Sequence, residues 1–233
     1  MRKYSNKIAL IKNSRGIYCI DTTMGCSSGM NNEAGGCYND CYAAKSAKTY
    51  GYDFHKTVLR YFKSEAHKRK IINQIDKVKL DFVRIGCSGD PSENWEHSIE
   101  MIKTISKANK EIVIITRHWD ILSDQQLEYL STKNICFNSS VSALDNPKLI
   151  KHSLEQYKRI KNYCKSLLRV VSCNFNIENE KGKLLSEIQH NLFKNDGVID
   201  TVFRPSAKNK LVIEKIINVR NEVFNGNKQM ASK

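Results

Sequence analysis

An α/β domain built on a parallel sheet is what this 233-residue chain predicts, and three observations carry that expectation. Six short runs rich in β-branched residues read as strands. The stretches between them carry apolar residues at helical spacing. A 40% hydrophobic composition with only three prolines and eleven glycines describes one sizeable core without long linkers. Six rounds of strand and helix imply parallel strands joined by right-handed crossovers. Two closures satisfy that pattern: a doubly wound open sheet, or an incomplete relative of the eight-fold barrel. Both put ligand chemistry at the C-terminal ends of the strands.

The strands, in order, are residues 16–21 (GIYCID), 82–87 (FVRIGC), 112–116 (IVIIT), 135–141 (ICFNSSV), 167–173 (LLRVVSC) and 199–204 (IDTVFR). Residues 58–78 are expected to be helical, with Leu59, Phe62, Ala66, Ile72 and Ile75 on one face. A second helix is expected over 94–108, with Trp95, Ile99, Ile102 and Ile105 facing inward. A short helix over 123–130 opens on a serine N-cap, and residues 147–163 start with proline at a first helical position. Helices over 184–193 and 211–223 complete the series. The expected unit is a single domain over 1–233, with its core at about 16–206 and a C-terminal helix at about 208–225. No repeat of 20–50 residues interrupts it.

Charge and cysteine usage narrow the function. No stretch approaches about 18 uninterrupted apolar residues, which argues against a membrane span. The N-terminal MRKYSNK runs into only a short apolar patch at 8–11, so no secretory leader is expected and the assignment is cytoplasmic. Thiols stay reduced there, and a cysteine cluster then favours metal over disulfide. Net charge is +14, unevenly spread. Residues 1–80 hold fifteen Lys and Arg against six Asp and Glu, residues 81–160 are close to neutral, and residues 161–233 hold thirteen against seven. Such a balance suits a solvated surface or a polyanion such as nucleic acid.

Small and polar residues follow nearly every strand, as the rim of a pocket requires: GCSGDPS at 86–92, TRHWD at 116–120, SSVSALD at 139–145, VVSCNFN at 170–176 and VFRPSAKN at 202–209. The segment after the first strand, GCSSGMNNEAGGCYNDCYAAK at 25–45, is the most distinctive. It places Cys26, Cys37 and Cys41 within sixteen positions, along with several glycines. Three thiolates on a glycine-rich loop suit a metal centre that keeps an open coordination position, whereas structural zinc usually takes four ligands. Cys19 is the available fourth, but it lies inside a strand, where a small hydrophobe is the simpler reading.

This loop resembles the radical SAM superfamily, in an atypical phage-associated branch with a widened cysteine motif. Gly25-Cys26, Gly36-Cys37 and Cys41-Tyr42-Ala43 carry the resemblance, together with GDPS after the second strand and SVS on the fourth. Cys37 and Cys41 keep the superfamily's three-residue gap, but position 44, where the next thiol would fall, is Ala. The resemblance implies a partial (β/α)6 barrel in which Cys26, Cys37 and Cys41 hold a 4Fe–4S cluster. Its open iron would bind S-adenosyl-L-methionine (SAM), and reductive cleavage would give a radical that abstracts hydrogen from a substrate. Together with the uneven positive charge, the expected substrate is a nucleic-acid base or nucleotide, the expected reaction a modification, isomerisation or lyase step, and the expected electron donor an external one-electron reductant such as flavodoxin or ferredoxin.

The resemblance also implies site residues. Gly89 and Asp90 would meet the methionine amino group, and Ser140, Ser142 and Asn174 the ribose and carboxylate. Arg204, like Arg117, suits a carboxylate or phosphate. Tyr42 would shield the cluster or stack on a base, and Cys87 and Cys173 are candidate hydrogen-atom donors. Cys136 and Cys164 read as core, His118 as structural or proton-carrying, and HKRK at 67–70 as a solvated face. Two other functions fit the residues alone: a zinc-dependent nucleic-acid-binding protein using Cys19, Cys26, Cys37 and Cys41, and a SAM-independent α/β nucleotide-binding enzyme.

Overall fold

The computed structural model describes residues 3–13, 16–31, 41–172, 174–202 and 212–214. Its centre is a seven-stranded sheet. In sheet order the strands are β1 (Ile11–Lys12), β2 (Tyr18–Cys19), β5 (Phe82–Ile85), β6 (Glu111–Thr116), β7 (Ile135–Val141), β8 (Lys165–Ser172) and β10 (Gly197–Val202). β1 runs antiparallel to β2, and every other pairing is parallel. The parallel strands therefore lie side by side in chain order. Two small antiparallel pairs flank the sheet: β3 (Thr23–Met24) with β4 (Val58–Leu59), and β9 (Asn174–Phe175) with β11 (Val212–Glu214).

All six expected strands are present, the first shortened to Tyr18–Cys19 and the second ending at Ile85; residues 203–204 of the sixth lie outside the described residues. The helices are α1 (Ser27–Asn31), α2 (Tyr42–Thr49), α3 (Glu65–Asp76), α4 (Trp95–Ile105), α5 (Asp124–Ser131), α6 (Pro147–Lys161) and α7 (Glu180–Lys194). Their starts are written in side chains that bind orphan backbone N–H groups. Ser64 accepts from His67, Asn94 from His97, Asn146 from Leu149, and Ser123 forms a reciprocal capping box with Gln126.

Two helix expectations are corrected. The helix placed over 58–78 begins only at Glu65, because Val58 and Leu59 pair with Met24 and Thr23, and Ser64 caps the start of α3. The helix placed over 211–223 starts instead as a strand, since Val212 pairs with Phe175, and residues 215–223 lie outside the described residues. Short apolar runs next to a partner strand pair into it, whatever helical spacing they also satisfy.

Alternation along the strands gives the sheet two different faces. One packs against the helices: Val83, Ile85, Ile112, Ile114, Ile135 and Phe137 join Ile71 and Ile75 of α3, Trp95, Ile99 and Ile102 of α4, and Leu127 and Leu130 of α5. Each such fully buried aliphatic contributes about 1.5–3 kcal/mol. Trp95 is the largest, set edge-on to Phe137 at 6.2 Å, with Nε1 donating to the Asp120 carbonyl at 2.8 Å. The other face is mixed. Ile17, Phe82, Val113 and Cys136 form an apolar patch, and Cys19, Arg84, Asn138, Ser140 and Arg169 follow on alternate positions. Cys136 and Cys164 are both buried in apolar clusters, as expected.

Candidate metal centre

The cysteine loop leaves the sheet through a fixed gateway. Gly25 has φ +84°, and a Cβ there would lie 2.1 Å from the Lys56 carbonyl oxygen, so only glycine fits. Gly25 bridges to Gly89, where a Cβ would come within 2.5 Å of the Thr23 carbonyl oxygen. Gly25 N donates to the Ser88 carbonyl at 3.0 Å and Cys26 N to that of Phe54 at 3.0 Å. The segment after β2 is thus held against the GDPS loop after β5, through backbone contacts that two glycines make possible.

Three carboxylates hold this rim. Asp21, 5% exposed, accepts from the backbone N–H groups of Gly86 (2.9 Å), Cys87 (2.7 Å) and Ser88 (2.9 Å). Burial pushes its carboxyl above the usual range, while those N–H groups and Arg60 pull it back. Asp90, also buried, accepts from Ser92 N and Oγ, from Thr116 Oγ1 and from Arg117 N, at 2.7–3.0 Å. Glu93 receives Ser27 Oγ at 2.5 Å, Thr57 Oγ1 at 2.8 Å and Ser28 N at 2.9 Å. Asp90 therefore ties the β5 loop to the end of β6, and Glu93 ties it to the start of α1.

Cys26 belongs to an apolar cluster with Ala47 and Phe54, and Cys41, Met30, Ala43, Ala44, Tyr52 and Trp119 pack against it. Both thiols are outside any disulfide. Burial, then the charges of Asp90 and Glu93, drive the Cys26 thiol well above its ordinary range, so without metal it is protonated. Cys37 falls in residues 32–40, outside the described residues. Among the described residues no three His, Cys, Asp or Glu side chains group as a metal site. Cys19 keeps different company: its thiol lies 3.8 Å from Asn13 Nδ2 and 3.9 Å from the Ile17 carbonyl.

The remaining candidates separate by what already engages them. Tyr42 is 64% exposed, yet its hydroxyl turns inward and donates to the Cys87 carbonyl. Burial pushes that hydroxyl well above its ordinary range. Ser142 is spent on structure, its hydroxyl accepting from Leu144 N at 3.2 Å and donating to the Val171 carbonyl at 3.3 Å. Ser140 is 4% exposed, and its Oγ has no hydrogen-bond partner among the described residues. It shares a face with Cys136 and Asn138 and pairs in register with Arg169. Arg117 makes a buried ion pair, Nη2 to Asp145 Oδ1 at 2.5 Å. Cys173, Arg204 and the Asn174 side chain lie outside the described residues.

Sequence reasoning passed over Arg84 and Arg169, which stand on the mixed face of β5 and β8. The available signal was a single arginine inside an apolar strand, in FVRI and in SLLRVVS. No helix among the described residues is long and apolar enough to cross a membrane. No protein-family model, no curated protein and no solved structure matches this chain.

Proposed function

We propose that this chain is a radical SAM enzyme on a partial (β/α)6 barrel, with its cluster held by Cys26, Cys37 and Cys41 and a nucleic-acid base or nucleotide as substrate. The observation that carries this reading is that Cys26 and Cys41 belong to one apolar cluster at the strands' C-terminal rim. The barrel reading rests on strand order. Parallel strands in chain order with right-handed crossovers put their helices on one face of the sheet. The opposite face is nevertheless buried at Cys19, Arg84, Val113, Cys136, Asn138 and Ser140, all at 5% exposure or less. Burial of that face is what a curled sheet would produce, and it supports the partial-barrel reading.

The residues present suit such a cluster. The Cys26 thiol, held protonated by burial, and those of Cys37 and Cys41 would hold such a cluster as thiolates. Phe54, Met30 and Trp119 pack in the same apolar group and make the surroundings of Cys26 apolar. When bound, the cluster supplies the low-potential electron that reductive cleavage of SAM requires, drawn from a reductant such as flavodoxin or ferredoxin. Ser140, buried and without a partner among the described residues, is the hydroxyl best placed to bind a polar group of the cofactor. Gly89 and Asp90 act in this reading by shaping the rim, and Cys87 offers a thiol on the same loop. Cys19's distinct surroundings favour a three-cysteine site over a four-cysteine zinc site. Anaerobic iron and sulfide analysis tests this: about four of each per chain, lost in Cys26→Ala, Cys37→Ala and Cys41→Ala but kept in Cys19→Ala. A colourless protein with one zinc that depends on Cys19 would overturn it.

A further inference from the structure

The surface beside Cys41 combines cations with exposed aromatic rings. The stretch 41–63 is rich in Lys and Arg and holds one acidic residue, Asp53, which lies 3.6 Å from Lys56. Arg60 is buried, whereas Lys45, Lys48, Lys56 and Lys63 are exposed. Tyr42 opens α2 and is 64% exposed, and Tyr50 closes it at 63%. Tyr42 and Lys45 are three positions apart and Lys48 lies three further on, so ring and cations lie along adjoining stripes of one helix.

Tyr42 differs from an ordinary surface tyrosine. Its hydroxyl is buried and bound to the Cys87 carbonyl, so the ring is held in place in a residue that is 64% exposed. A ring fixed in advance loses little freedom when a flat partner stacks on it. Every nucleobase has such a face, and phosphates at regular spacing complement lysines. A duplex hides its base faces, so an exposed ring on a helix favours an unpaired strand.

We propose that α2 and the segment to Lys56 bind single-stranded nucleic acid, with Tyr42 and Tyr50 stacking on bases and Lys45, Lys48 and Lys56 contacting phosphates. This deepens the functional reading above and rests on it for placing the reactive centre at Cys41, one residue from Tyr42. The strand is held so that the base on Tyr42 sits at the rim.

Fluorescence anisotropy with labelled DNA and RNA strands of about fifteen nucleotides, and a duplex of equal length, tests the surface on the full chain without SAM or reductant. The single strands should bind at least about fivefold more tightly than the duplex. Lys45→Gln/Lys48→Gln should lower the slope of log K against log salt by about 1.4, or about 0.7 per phosphate. Tyr50→Ala should weaken binding about fivefold or more. Lys181→Gln/Lys183→Gln, the same charge loss on exposed sites of α7, should leave the slope unchanged. Circular dichroism verifies that each variant is folded. Equal binding of duplex, equal losses from the two lysine pairs, or no binding at low salt would overturn the proposal. Iron content reads the cluster separately, so either idea can fail without the other.

Discussion

Acid should destabilise this fold through His118, in a window set by its surroundings. The imidazole is 1% exposed, its Nε2 lies 2.8 Å from Ser139 Oγ, and His152 Nε2 donates to its carbonyl oxygen at 2.7 Å. Burial, then the neighbouring His152 and Arg117, lower its pKa from 6.5 to about 3. Between those values the unfolded chain binds a proton that the folded chain refuses. Stability is therefore complete above about pH 6.5 and falls as the pH drops toward 3. At about 1.36 kcal/mol per unit, moving from about pH 7 to about pH 5 costs about 2 kcal/mol from this residue alone. In a chain of this length that lowers Tm by about 4–8 °C. The assay is urea unfolding at both pH values, compared with His118→Asn. Asparagine accepts the backbone φ of 56° and does not titrate. Wild type should lose about 2 kcal/mol more than the variant, other groups cancelling in the difference. An equal loss in the two proteins would refute the reasoning.

Three further outcomes rest on single contacts. Gly25→Ala should destabilise by at least about 1–2 kcal/mol through its positive φ alone, and should expose Cys26 to faster reaction with a thiol reagent. Arg117→Met should cost about 3–5 kcal/mol in urea unfolding, since it strands the fully buried Asp145 carboxylate; adding Asp145→Asn should recover part of it. Ser140→Ala should change stability by less than about 1 kcal/mol, because the hydroxyl has no partner to lose among the described residues, yet weaken binding of S-adenosylhomocysteine by calorimetry.

The strands were legible because apolar β-branched runs ended in polar clusters, as in IVIIT before RHWD. Helix starts were legible where a cap was local, as at Ser123 and Pro147. The start at Glu65 was not, because Val58 and Leu59 read as helical until Thr23 and Met24 pair with them from distant positions in the chain. The same distance effect governs the site. Three cysteines after a strand could be read, and two of them do share an apolar cluster. The work of Asp21, Asp90 and Glu93 could not be read, since most of their partners come from other strands and loops. Asp90 illustrates this: its place in GDPS suggests a ligand contact, while Ser92, Thr116 and Arg117 already engage both carboxylate oxygens.

The most direct measurement is release of 5′-deoxyadenosine when anaerobically reconstituted, reduced protein meets SAM, run beside Cys41→Ala. Product is expected from wild type and none from the variant. No product from a wild-type protein carrying its full iron, or equal product from both, would contradict the proposed function.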